Sequence, residues 1–158
     1  MNKNRKIVNR RACFDYQILE KFEFGIVLYG WEVKSLRLGD ATLVNAHLSY
    51  NAPHIMIHNM HIATYEHERS SKKRTADETE RARIMLVHKK EKNKLMAASK
   101  IPGQTIVPLE LYWNKRGLAK VSCAIVSGKK EFDKRATIKE RDWQRQKQQI
   151  LKARSTSS

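Results

Sequence analysis

The sequence predicts a mainly β fold: a small antiparallel OB-fold-like barrel of about six strands, with two or three helices and a basic, conditionally helical C-terminal tail. Three observations predict it. Several segments alternate apolar and polar residues with period two, turn-forming residues separate them, and after Gly128 the apolar content collapses into charges of alternating sign.

Along the chain, Val44, Ala46, Leu48 and Tyr50 alternate with Asn45, His47 and Ser49. Val107, Leu109, Leu111 and Trp113 alternate with Pro108, Glu110 and Tyr112, and Val121, Cys123 and Ile125 alternate with Lys120, Ser122 and Ala124. Successive side chains of a strand point to opposite faces, so each segment reads as a half-buried strand. Residues 114–117 supply a hairpin turn between the last two. Residues 13–19, 25–29 and 55–62 are further strands by their apolar and β-branched content. A β-sandwich with added helices is the alternative architecture. Helix signals are fewer. Residues 31–38 predict two turns stopped by Gly39, and Thr75-Ala-Asp-Glu78 reads as a capping box ahead of a helix over 80–99, ended by Pro102-Gly103. Residues 66–80, almost wholly charged or small and polar, predict a mobile loop.

Composition narrows the partners. Lys and Arg number 32 against 16 acidic residues, a net charge of +16 over 158 residues. Such an excess gathers polyanions, and nucleic acid is the first candidate. A membrane is not expected, because no run of about 18 apolar residues exists. The basic start, with Lys3, Arg5, Lys6, Arg10 and Arg11, reads as a phosphate-contacting arm, with a merely solvated terminus as the alternative. Cys13 and Cys123 have no metal-ligand spacing and read as buried, reduced thiols of a cytoplasmic protein.

Residues 1–128 are expected to form an RNA-binding domain with its basic arm, and residues 129–158 a tail. If the tail is one helix, Phe132, Ala136, Trp143 and Ile150 fall close to one line. So thin a stripe does not offset an ordering cost of about 1 to 2 kcal/mol per residue. The tail is therefore expected to be disordered when free and to fold on an RNA surface; a surface helix packed on the barrel is the alternative.

Catalytic and metal chemistry find little support. His54 and His58 on one strand would stand roughly 13 Å apart at about 3.3 Å per residue, too far to share one ion. Asp15, Glu20, Glu23 and Glu32 match no two-metal spacing for a nuclease, and Glu23 and Glu32 read better as partners of basic side chains or of RNA. No metal, cofactor or enzymatic activity is expected. Aromatic residues do interleave with basic ones. Tyr29 and Trp31 lie beside Lys34 and Arg37, and Tyr112 and Trp113 beside Lys115 and Arg116, a pattern on which unpaired bases stack. Trp113 is expected to be buried; Trp31 is open between core and stacking roles.

More specific are Asn9-Arg-Arg-Ala12 with Phe14-Asp-Tyr16, Glu23-Phe-Gly25, and Gly30-Trp-Glu-Val-Lys-Ser-Leu-Arg37. Val107-Pro-Leu-Glu-Leu-Tyr112, Gly128-Lys-Lys130 and Asp133-Lys-Arg135 follow in order. Together they resemble the SmpB family, the SsrA-binding proteins, from about Asn9 to Arg154. The resemblance implies an OB-fold that binds the tRNA-like domain of transfer-messenger RNA (tmRNA). It also implies docking in the decoding centre of stalled ribosomes for trans-translation, as an adaptor and as a monomer on its RNA. The RNA-facing set it implies is Asn9, Arg10, Glu23, Trp31, Glu32, Lys34, Ser35, Arg37, Leu86, His88 and Lys89, with Leu86 and His88 on the helix after the loop. The tail set is Lys129, Lys130, Phe132, Asp133, Lys134, Arg135, Trp143, Ile150 and Leu151, facing small-subunit rRNA and the mRNA channel. Phe132 stands where members usually have His, so no proton exchange is available there. Residues 75–80 replace an Asp-Pro-Thr-Arg-like stretch. A generic OB-fold ribosomal or RNA-chaperone protein is the competing reading, and an RNA-processing nuclease the third.

Overall fold

The computed structural model describes residues 6–65, 75–128 and 131–155. Lys3 and Arg5, most of the expected loop, and Lys129 and Lys130 lie outside the described residues. In chain order the elements are β1 (Ile7–Val8), α1 (Arg10–Asp15), β2 (Tyr16–Ile26), α2 (Gly30–Leu38), β3 (Ala41–Thr42), β4 (His47–Asn51) and β5 (His54–His58). There follow β6 (His61–Ile62), α3 (Ala76–Thr79), β7 (Arg83–Leu86), α4 (Lys89–Ser99), β8 (Gln104–Trp113), β9 (Ala119–Gly128) and α5 (Glu131–Ser155).

Strand pairing runs β8-β4-β5-β7-β2-β9, and β9 pairs again with β8, so six antiparallel strands close on themselves. Closure removes the exposed edges that an open sheet would offer to other chains. The ring is thinnest between β4 and β8, which meet only at Leu48 and Ile106. β1 extends the sheet beside β8, and β3 pairs with β6 apart from it. Phe24, Ile57, Leu36, Leu95, Ile106 and Val121 belong to the main core, and α2 and α4 close it through Leu36 and Leu95. A second cluster of Ala12, Val107, Leu109, Ala124 and Val126 lies under α1.

Several sequence expectations are corrected. Residues 13–15 are helical, residues 27–29 belong to no strand, and what remains of the two strands expected over 13–19 and 25–29 is joined in one eleven-residue strand, β2. The reason is Asn9. Its Oδ1 accepts from the Ala12 N–H at 3.1 Å and caps α1, while its Nδ2 donates to the carbonyls of Leu43 (2.9 Å) and Pro108 (3.1 Å). Its own N–H donates to the Leu109 carbonyl at 2.7 Å. Asn9 thus satisfies two carbonyls at the bulge where β8 shifts register against β9, between Pro108 and Glu110, and a bulge is where a strand tolerates proline. β4 starts only at His47, and residues 55–62 are split around Asn59, whose φ is 54°. Cys123 is buried as expected, but Cys13 on α1 is exposed.

The largest correction concerns residues 80–99. The Thr75 capping box forms, yet it starts a single turn, and residues 83–86 are a strand that fills the ring between β5 and β2. The helix resumes only at Lys89. Arg83 at an interior strand position disguised the period-two pattern, because a fully buried arginine does not read as core.

Arg83 is buried because its donors are occupied. Its Nε donates to Glu32 Oε1 (2.7 Å), Nη1 to the carbonyls of Met60 (2.6 Å) and Arg81 (3.0 Å), and Nη2 to that of Thr79 (2.9 Å). Glu32, also fully buried, accepts further bonds from Arg81 Nε (3.0 Å), Arg81 Nη2 (2.5 Å) and the Tyr29 N–H (2.7 Å). Burial alone would raise the Glu32 carboxyl. The bonds from Arg81 and Tyr29 and the charge of Arg83 outweigh it and hold the group below its ordinary value of 4.5.

Glu32→Ala is expected to cost about 3–5 kcal/mol, read as a lower urea midpoint, because it strands the Arg83 guanidinium in the core. Since Glu32 binds its proton less tightly folded than unfolded, its contribution is complete above pH 4.5 and is lost as pH falls through the depressed folded value. Urea melts across that acid range should therefore show stability dropping in the parent more steeply than in Glu32→Gln.

Candidate nucleic-acid interface

Helix α2 sorts its residues by face. Trp31, Glu32, Ser35 and Leu36 are buried, whereas Lys34 and Arg37 are exposed, the division that spacings of three and four produce on a helix. Gly39, at φ 86°, ends the helix: its N–H donates to the Leu36 carbonyl at 3.0 Å. The Ser35 hydroxyl donates to the Ala63 carbonyl at 2.6 Å, and together with Glu32 it fixes the helix's rotation on the barrel. The two outward cations rest on rings. Lys34 Nζ lies 5.6 Å from the Tyr65 ring centre and the Arg37 guanidinium 5.4 Å from that of Trp113. Just before the helix, Tyr29 is 58% exposed and carries Arg81 at 3.9 Å.

A groove of about 530 Å³ opens across β2, β7 and β9, lined by Gly25, Leu86, His88, Leu118, Lys120 and their neighbours. Gly25 pairs with both Leu86 and Lys120 across the strands. A Cβ at Gly25 would come within 3.2 Å of Leu86 Cδ1, so glycine there keeps the groove open. Leu86 (60% exposed) and Leu118 (57% exposed) leave apolar surface in water at this site. Leu118 is presented by the expected hairpin turn, which Asn114 Oδ1 holds by accepting from the N–H groups of Arg116 (3.0 Å) and Leu118 (2.9 Å).

Glu23 joins the same surface. Its carboxylate lies 3.6 Å from Lys120 Nζ and accepts a short hydrogen bond from the Tyr112 hydroxyl. That bond, helped by desolvation and by the negative charge of Glu23, pushes the phenol up to about 12, so Tyr112 stays a neutral donor at physiological pH. His88 precedes α4, where its carbonyl accepts from the Lys92 N–H at 2.9 Å, and Lys89 begins that helix in the open.

The structure therefore brings Glu23, Leu86, His88 and Lys89 to one surface and connects Arg37 to it through Trp113, the register partner of the groove residue Ala119. Leu86 is on a strand and His88 just ahead of the helix, which corrects their expected helical placement. Asn9, Trp31, Glu32 and Ser35 are at most 8% exposed and serve as scaffold beneath the exposed residues. Trp113 is half-buried, with Arg37 over its ring. Arg10 is exposed on α1. Lys120, Leu118, Arg81 and Arg83 escaped the sequence reading. Lys120 had a signal, as an outward polar position alternating with Val121; exposed Leu118 had none.

Residues 131–155 form one helix, α5, in which Arg135, Trp143, Ile150 and Leu151 are exposed. Its residues 132–134 are described by backbone alone. The helix meets the barrel domain where Arg141 lies 5.6 Å from the Phe14 ring of α1. Among the described residues no helix is long and apolar enough to cross a membrane.

Comparison with known proteins gives the chain's family. The family model described as SmpB protein matches residues 6–153. An SsrA-binding protein of Wolbachia sp. subsp. Brugia malayi is 48% identical over 91% of this chain and 94% of its own length. That of Caulobacter vibrioides is 45% identical over 91% and 92%, and that of Rickettsia bellii 41% identical over 96% and 99%. A solved structure described as "tmRNA-SmpB: a journey to the center of the bacterial ribosome" superposes with a TM-score of 0.65 at 39% identity, covering 80% of this chain and 85% of its own. With nearly its whole length matched in sequence and most of it in fold, this chain belongs to the SmpB protein family.

Proposed function

We propose that the protein binds the tRNA-like domain of tmRNA through the Leu86 groove and the outer face of α2, and docks it in the decoding centre of stalled ribosomes for trans-translation. One observation carries the reading: Lys120, Leu86 and His88 line one groove, with Glu23 held beside it at 3.6 Å from Lys120, in a chain whose relatives are SsrA-binding proteins. Cations on α2 and α4 hold phosphates and set register. Glu23, Tyr112 and His88 offer hydrogen bonds that depend on RNA shape, and Leu86 and Leu118 offer apolar contact to an unstacked base or a ribose. On this reading the protein acts in the cytoplasm as an adaptor, a monomer on its RNA, while the ribosome performs peptide transfer.

The tail is the ribosome-facing half. Lys129 and Lys130 lead into α5, Asp133, Lys134 and Arg135 begin it, Trp143 anchors its middle, and Ile150 and Leu151 anchor its end. Phe132 can stack on a base but exchanges no proton. With Trp143, Ile150 and Leu151 all more than half exposed, the helix gains little from the barrel, and its persistent order is assigned to contact with rRNA. A generic OB-fold RNA-binding protein would bind single-stranded RNA as well as a tRNA-like fold of equal length at near-physiological salt; the adaptor prefers the fold.

Arg37→Ala is expected to weaken binding of the tRNA-like RNA roughly tenfold and to flatten the plot of log affinity against log salt by close to one phosphate's worth. Filter binding at several salt concentrations measures both, and an unchanged slope would show that Arg37 meets no phosphate. A chain ending at Gly128 should keep its RNA affinity and lose tagging in a reconstituted translation reaction. Circular dichroism of the free full-length protein should exceed that of the shortened chain by much less helical signal than a complete α5 would give.

A further inference from the structure

A second groove has no part in the function above. It opens at the thin seam of the ring, over Leu48 and Ile106, which are 4% and 1% exposed. His47, Ser49 and Tyr50 of β4, Lys100 beyond α4, and Gln104 and Thr105 of β8 stand around it, enclosing about 520 Å³.

Three features define its chemistry. No carboxylate is among its described lining residues, in a chain of net charge +16. The His47 and His58 rings stack at 5.4 Å and 19°, and Ser49 Oγ lies 2.9 Å from His58 Nε2; His47 is exposed, so the stack ends in a ring open to a further one. The rim carries hydroxyl and amide groups, which pair with base edges and ribose hydroxyls. Helix α4 joins the two grooves. His88 lines the first at its start and Lys100 the second just past its end, and twelve residue steps at 1.5 Å each separate them by about 18 Å.

We propose that the seam groove is a second RNA site that takes an unpaired, single-stranded stretch, with a base stacked on the His47–His58 pair and a phosphate held by Lys100. This deepens the reading above, since it places an unpaired extension of the RNA whose folded part sits in the Leu86 groove. An acidic peptide would use Lys100 but neither the stacked rings nor the hydroxyl and amide rim.

The test is fluorescence anisotropy with a labelled, unstructured RNA of about ten nucleotides, added to full-length protein already saturated with the tRNA-like RNA. A ternary complex is expected. His47→Ala and Lys100→Ala should each weaken the oligonucleotide about tenfold while leaving affinity for the tRNA-like RNA unchanged, and His47→Phe, which keeps a ring, should retain most of the binding. Displacement of the tRNA-like RNA by the oligonucleotide, parent-like binding by both alanine variants, or equal binding of a glutamate-rich peptide would each overturn the proposal. Failure of the tRNA-like RNA to bind in the first titration would instead overturn the function proposed above, and the oligonucleotide arm is then read on the free protein. His47 and Lys100 are both exposed, so the variants are expected to fold, and the unchanged tRNA-like affinity checks it.

Discussion

A single buried ion cluster sets the geometry of the outer face of α2, the face proposed to meet RNA. Glu32 on α2 takes bonds from both Arg81 and Arg83, and Arg83 spends its other donors on carbonyls near β6 and α3. Burying these charges carries a desolvation cost that only well-formed hydrogen bonds offset, and here every one of the Arg83 nitrogens has an acceptor. That arrangement fixes α2 in rotation and height on the barrel. The outward direction of Lys34 and Arg37 follows from it.

Around this constraint the chain divides scaffold from contact within single motifs. In the octapeptide from Gly30 to Arg37, Trp31, Glu32 and Ser35 face inward, and Lys34 and Arg37 face out over aromatic rings. The rings limit the freedom of long cationic side chains before any ligand arrives, which reduces the entropy lost on binding. Glu23 serves the same end. Its bonds with Tyr112 and Lys120 hold one acid among many cations.

The tail follows a different logic. Its charges alternate in sign, its apolar residues are few, and among the described residues a contact with the body places Arg141 over Phe14. The barrel, closed on itself by hydrogen bonds, cannot rearrange without losing them, whereas α5 leaves Trp143, Ile150 and Leu151 more than half exposed.

Alternation in β9, the Asn114 turn, the Gly39 stop of α2 and the charge excess were all legible in the sequence. So was the family, through its ordered motifs. The bulge between Pro108 and Glu110, by contrast, splits the expected apolar face of β8, sending Val107 and Leu109 to the cluster under α1 and Leu111 to the main core. Strand β7 was not legible: whether residues 83–86 are helix or strand depends on a vacancy between β5 and β2, and on distant Glu32, which makes a buried Arg83 tolerable. Nor could the sequence say which members of one motif face the core, or that Lys120 and Leu118 join Glu23 and Leu86 at a groove. The sequence by itself determined the kind of elements, the charge and the family; only the tertiary structure decided which side chains meet, because ring closure brings together residues that are far apart along the chain.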